Sequence, residues 1–142
     1  MQVKDVMTQP AISISPEESA EVAARTLTQY NIGILPVCDA GGKLCGLVTD
    51  RDLVIRCMAS GKAPAKTKVK DVMTGNMTMV SPDMPASAAA DLMGKKQVRR
   101  LPVTEGGKLL GMVSLGDMAK CTETARNVTA ALSEISSNPG HF

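Results

Sequence analysis

The chain has 142 residues, enough for two small lobes sharing an interface but marginal for two independent domains. It contains no Trp, one Tyr and one Phe, so its core is built from Val, Ile, Leu, Met and Ala, and single-stranded nucleic acid finds no aromatic platform. A net charge of +2, four cysteines with no C-x-x-C pair and a single histidine, His141, argue against a nucleic-acid partner, a disulfide framework or a zinc site; no apolar run reaches the roughly 18 residues of a membrane span, so a cytoplasmic protein without a membrane partner is expected.

The chain opens on Val3-Lys4-Asp5-Val6-Met7-Thr8. Ile12 and Ile14 then alternate with Ser13 and Ser15, which predicts a short strand. In Ser15-Pro16-Glu17-Glu18 a hydroxyl, a proline and a following acid predict a helix start. Ala20, Ala23, Ala24 and Leu27 continue at helical spacing, with side chains small enough to lie close against a sheet. Residues 34–38 and 44–49 form a hairpin around Asp39-Ala40-Gly41-Gly42-Lys43, and Asp52, Leu53, Ile55 and Met58 start a helix ended by Gly61. Lys62, Lys66, Lys68 and Lys70 gather near Pro64 in what reads as a solvated connector. Cys38 and Cys45 flank the hairpin and read as small apolar residues.

From residue 69 the text begins again. The opening returns unchanged as Val69-Lys70-Asp71-Val72-Met73-Thr74, Leu35-Pro36-Val37 as Leu101-Pro102-Val103, and Gly41-Gly42-Lys43-Leu44 as Gly106-Gly107-Lys108-Leu109. Residues 3–53 and 69–118 are thus two copies, one residue being lost in the hairpin turn. Met77, Met79, Thr78 and Val80 repeat the strand, Ser81-Pro82-Asp83 the helix start, and Ala86, Ala89, Ala90 and Met93 the helix. Two copies favour a pseudo-two-fold unit over a solenoid, which needs three or more. The division is 1–65 for the first repeat with its linker, 66–122 for the second, and 123–142 for a tail. Val128, Ala131, Leu132 and Ile135 predict an amphipathic helix in that tail, broken at Ser136-Ser137-Asn138-Pro139-Gly140.

Each repeat reads strand, helix, strand, strand, helix. Two helices on one side of three strands leave the other sheet face apolar, so the lobes are expected to pack through their sheets as an α/β fold of the α+β kind.

Gly46-Leu47-Val48-Thr49-Asp50-Arg51-Asp52 and Gly111-Met112-Val113-Ser114-Leu115-Gly116-Asp117 share the pattern G-h-h-[ST]-x-x-D at a strand-to-helix junction. A hydroxyl at the N-cap with an acid three residues on is a capping box, which needs no ligand. The same residues also suit a nucleotide: helix amides attract phosphate, and a carboxylate accepts both hydrogen bonds of a ribose diol. Val98-Arg99-Arg100 enters a strand where the first copy has Ile32-Gly33-Ile34, and guanidinium forks are favoured phosphate partners. No nucleophile–base pair, metal cluster or enzymatic glycine-rich phosphate loop stands out, so catalysis is not expected.

With its V-x-D-V-M-T openings, LPV strands and G-h-h-[ST]-x-x-D endings, the span from Val3 to about Lys120 resembles a CBS domain pair, the tandem module named after cystathionine β-synthase. The resemblance implies two pseudo-symmetric β-α-β-β-α repeats, a homodimer, and adenosine-containing ligands (AMP, ADP, ATP or S-adenosylmethionine) bound in clefts between repeats. It pairs each ending with the other repeat. One cleft would hold Thr49, Arg51 and Asp52 with Thr78, Val98, Arg99 and Arg100; the other would hold Ser114 and Asp117 with Ile12, Ile32, Gly33 and Ile34. The arginine-bearing cleft would favour a multiply charged nucleotide. Asp50 either caps its helix or recruits Mg²⁺ with a triphosphate; no cofactor is obligatory. The expectation is a regulatory sensor read by an unidentified protein effector, the alternative a ligand-independent dimerisation or docking module.

Overall fold

The computed structural model describes residues 1–9, 11–121 and 124–137. The expected break at Asn138-Pro139-Gly140 and His141 lie outside these residues. The elements in chain order are α1 (Val3–Val6), α2 (Ala20–Tyr30), β1 (Ile34–Cys38), β2 (Leu44–Thr49), α3 (Asp50–Asp52, continued by a π-helical turn over Leu53–Met58), α4 (Ala86–Lys96), β3 (Arg100–Glu105), β4 (Lys108–Ser114), α5 (Leu115–Ala119) and α6 (Ala125–Ser136), with short 3₁₀ turns at Pro64–Lys66 and Val69–Asp71. The mixed α/β character expected from the sequence is present, with two small antiparallel sheets, β1–β2 and β3–β4.

The chain divides into two compact units that do not follow the order of the sequence. One comprises residues 12–77 and 107–109, the other 1–11, 78–106 and 110–142. Each repeat's opening therefore belongs with the body of the other copy. In the first-copy unit, Val69 and Val72 are buried with Ile14, Ala23, Leu27, Leu35, Val37, Val48 and Leu53. In the second-copy unit, Val3 is buried with Val80, Ala89, Ala90, Met93, Leu101, Val103, Val113 and Met118, and Val6 and Met7 pack against that cluster. Both cores are aliphatic, as a chain almost without aromatics requires.

The openings are held by backbone bonds made the same way in each unit. Val69 N donates to Glu18 O at 2.8 Å, Lys70 N to Pro16 O at 3.0 Å, and Ala20 N to Thr67 O at 2.7 Å. In the other unit Val3 N donates to Met84 O at 2.8 Å, Lys4 N to Pro82 O at 3.0 Å, and Ala86 N to Met1 O at 3.0 Å. These bonds correct the expected helix starts. Ser15-Pro16 and Ser81-Pro82 form turns instead, because the carbonyls of Pro16, Glu18, Pro82 and Met84, which a helix would use internally, are already committed. α2 begins four residues later at Ser19, whose hydroxyl accepts from Val22 N at 3.1 Å, and ends on Asn31 in the left-handed region.

The short strands around Ile14 and Val80 shrink to single parallel bridges. Ile14 donates to Pro36 O and accepts from Cys38 N, both at 3.0 Å; Val80 donates to Pro102 O at 3.0 Å and accepts from Thr104 N at 2.9 Å. Each unit is thus a hairpin extended by isolated bridges rather than by a full third strand. The β1–β2 turn is fixed locally, Asp39 Oδ1 accepting from Gly41 N and Lys43 N, with Gly42 at φ 83°.

The glycine that opens each G-h-h-[ST] motif has a packing reason. Thr74 exchanges two backbone bonds with Leu47, at 2.9 and 2.8 Å, and Thr8 exchanges two with Met112, at 2.8 and 3.1 Å. A Cβ at Gly46 would lie 2.7 Å from Thr74 O, and one at Gly111 would collide with Thr8 O. Gly46→Ala is therefore expected to destabilise by about 1–3 kcal/mol, measurable by urea unfolding; wild-type stability would show that the opening can move aside.

At the surface, Glu17 takes Lys68 at 2.7 Å and Lys70 at 3.1 Å, so two of the connector lysines are tied down. The hydrogen bond from Lys68, then that from Lys70, holds the Glu17 carboxyl below its ordinary value of 4.5. A depressed folded-state pKa means that this contribution is present above the unfolded value and lost as pH falls through the folded one. Glu17→Gln should lower stability slightly above about pH 4.5 and leave it unchanged at lower pH, so that the acid limb flattens; the effect is small because the pair is exposed and screened. A melting-temperature series against pH would test this; an acid limb unaltered by the substitution would rule it out.

Cys38, Cys45, Cys57 and Cys121 are free thiols; Cys38 and Cys57 are buried, and burial pushes the Cys38 thiol up. Among the described residues no helix is long and apolar enough to cross a membrane.

Candidate functional site

The two copies of the ending motif are built alike and used differently. In the first-copy unit, Thr49 caps α3: Asp52 N donates to Thr49 Oγ1 and Thr49 N donates to Asp52 Oδ2, each at 3.0 Å, a complete capping box. Asp52 has further partners. Thr74 Oγ1 donates to its carboxylate at 3.3 Å, Arg56 Nε stands 3.9 Å from Oδ1, and the residue is only 9% exposed. Asp50 Oδ1 accepts from Arg51 N at 2.8 Å, and Asp50 N donates to Gly33 O at 3.2 Å, which ties the Ile32-Gly33-Ile34 entrance to this motif. Arg51 is exposed, as is Ile12. No group of three or more His, Cys, Asp or Glu gathers to hold a metal ion among the described residues.

In the second-copy unit, Ser114 caps α5, with Asp117 N donating to Ser114 Oγ at 3.1 Å. The reciprocal bond is missing. Among the described residues the Asp117 carboxylate accepts no hydrogen bond, and Cys121 stands where the first copy has Arg56. Leu115 N donates to Arg99 O at 2.9 Å, the counterpart of the Asp50–Gly33 bond. This bond brings the arginine-bearing entrance to Ser114. A cavity of about 310 Å³, toward the lower end of small-molecule sites, is lined by Arg99, Arg100 and Ser114 together with Leu115, Gly116 and Ala119 of α5 and Val128 and Leu132 of α6. Both arginines are exposed, and neither forms an ion pair among the described residues. Thr78 and Val98 belong to the same unit, and Val98 packs against its core.

Within each unit, then, the predicted site residues brought beside an ending motif come from the strand entrance of its own copy: Arg99 and Arg100 with Ser114, and Ile32-Gly33-Ile34 with the Thr49-Asp50-Arg51-Asp52 ending. Arg56 and Thr74 are neighbours of Asp52 that the sequence reading passed over. Arg56 was legible, since it follows Asp52 by four residues on a helix, the spacing at which opposite charges meet. Thr74 was not, because it lies in a distant opening.

The fold and the site define a class of tandem module: a helix–hairpin–helix unit written twice, each copy ending on a hydroxyl that caps a helix with an acid three residues on. The chain belongs to the CBS domain family, whose model matches residues 3–58 and 69–123. A CBS domain-containing protein of Bacillus subtilis, YhcV, is 37% identical over 134 residues, covering 94% of each chain. Among solved structures, the CBS domain pair of protein MJ0100 in complex with 5′-methylthioadenosine and S-adenosyl-L-methionine is 28% identical with a TM-score of 0.75, covering 88% of this chain and 98% of that one. CBSX2 in complex with AMP gives the same identity, score and coverage.

Proposed function

We propose that the protein is a non-catalytic cytoplasmic regulatory module that binds an adenosine-containing nucleotide of the AMP, ADP or ATP class, or S-adenosylmethionine, and thereby senses energy or metabolite state. The cavity in which two arginines, unpaired among the described residues, meet Ser114 carries this reading. The complexes of the two related CBS pairs with adenosine compounds support the ligand class. Arg99 and Arg100 neutralise phosphate, Ser114 adds a hydroxyl donor, and the Asp117 carboxylate, unengaged among the described residues, takes the ribose diol; Thr78 and Val98 remain candidates for the adenine in the same unit. The remaining candidates, Thr49, Arg51 and Asp52 with Ile12, Ile32, Gly33 and Ile34, form the weaker end, because Asp52 is held by Thr49, Thr74 and Arg56. The two ends are thus unequal, and the charged ligand belongs with Ser114.

Calorimetric titration with AMP, ATP with and without Mg²⁺, and S-adenosylmethionine tests this. Asp117→Ala is expected to weaken binding by about tenfold, the loss of one charge-assisted pair, with the fold unchanged. Asp52→Ala should instead lower stability by about 0.5–2 kcal/mol, the cost of a lost cap, and leave that affinity intact. Equal affinities for Asp117→Ala and wild type would remove the ribose contact.

A second reading is a dimerisation or docking module without a ligand. It is favoured by Val54, Ile55 and Met58, which stand 53%, 44% and 65% exposed on the turn after α3, an apolar strip suited to a second copy of the chain. Ligand at a hundred times its dissociation constant stabilises by about 2.7 kcal/mol. The absence of a thermal shift with every adenosine compound, combined with a dimer that Met58→Glu splits in light scattering, would select this reading.

A further inference from the structure

We propose that α6, which lies beyond both repeats, forms a wall of the Arg99–Arg100–Ser114 site and makes it selective for anions that carry an apolar or aromatic body beside the phosphate. The inference rests on the nucleotide reading of this cavity and assigns the part that the repeats do not supply. One side of the cavity is cationic and polar, from Arg99, Arg100 and Ser114; another is apolar, from Val128 and Leu132. Among the described residues no acidic side chain lines it.

The wall is fixed rather than loosely apposed. α6 buries Val128, Ala131 and Ile135 in the core of its unit. Ala131 lies so close to α4 that a Cβ on Gly94 would come 3.0 Å from its Cα, and Asn127 Nδ2 donates to Asp91 Oδ1 at 2.8 Å. Leu132 is the exception on this helix: it is 39% exposed although it lines the cavity. Apolar area left open beside the two arginines gains by being covered, and the ligand that covers it is one whose phosphate rests on the arginines while its remaining body lies on Val128 and Leu132. A bare inorganic anion uses the arginines alone and leaves the wall wet.

The 142-residue chain titrated with ADP and with inorganic pyrophosphate separates the two walls. Leu132→Gln keeps a good helix former at a half-exposed position and removes the apolar surface. It is expected to weaken ADP by about tenfold, equivalent to about 1.4 kcal/mol, and to leave pyrophosphate unchanged. The double variant Arg99→Ala, Arg100→Ala is expected to weaken both probes. In hydrogen exchange, ADP but not pyrophosphate should slow the amides of Ala125–Ser136. If Leu132→Gln binds ADP like wild type while the arginine variant does not, α6 is no part of the site and the nucleotide reading stands. If the arginine variant binds ADP like wild type, or wild type binds none, the nucleotide reading fails and the proposal falls with it.

Discussion

Alanine at Arg99 and Arg100 together is expected to weaken adenine-nucleotide binding by a factor of about one hundred or more. Each charge-assisted hydrogen bond to phosphate contributes roughly 1.5–3 kcal/mol, and each tenfold change in affinity corresponds to about 1.4 kcal/mol, so two such contacts exceed a hundredfold. Both guanidinium groups are exposed and unpaired among the described residues, so their removal costs no ion pair and leaves no buried partner stranded. The fold should therefore survive, and a wild-type melting temperature without ligand is part of the expected result. The loss should be largest for ATP and smallest for S-adenosylmethionine, which has no phosphate. A uniform loss across these ligands would show that the arginines support the fold of the site rather than meet the anion.

The second large effect concerns stability. Val3→Asp is expected to unfold the second-copy unit, although residue 3 belongs to the first repeat. Val3 is fully buried among Val80, Ala89, Ala90 and Met93, and a carboxylate there would have to stay charged without a partner or take up a proton. The cost is several kcal/mol, comparable with the roughly 5–15 kcal/mol that stabilise a whole domain. Native-state hydrogen exchange locates the damage: protection should fall first at Ala89, Met93 and Val113, and later at Leu35 and Val48. Val69→Asp, at the matching position, should reverse the order, because Val69 is buried with Leu35 and Val48. If Val3→Asp opened Leu35 and Val48 first, the exchange of openings between units would be refuted.

The capped endings carry a related lesson. Thr49 and Asp52 were legible both as a capping box and as a ligand pair, because either role uses the same two residues at the same spacing. Asp52 forms the box and Asp117 does not, and the difference lies outside the motif. Asp52 has Arg56 one turn on and Thr74 from an opening, whereas Asp117 has Cys121 in place of the arginine and, among the described residues, keeps its carboxylate unengaged.

The sequence by itself determined the duplication, the family and the order of helices and hairpins, because these are written in contiguous residues. Ala20, Ala23 and Leu27 hold a helical period, Gly41-Gly42 supplies a turn, and Leu35-Pro36-Val37 returns as Leu101-Pro102-Val103. Only the tertiary structure decided which opening enters which core, since Val3 to Thr8 and Val69 to Thr74 are the same six residues and identical text cannot name its partner. It also decided where α2 and α4 begin. A proline and an acid mark a helix start locally, but backbone bonds from segments far away in sequence take the carbonyls of Pro16, Glu18, Pro82 and Met84, and a carbonyl already satisfied there is not available to the helix.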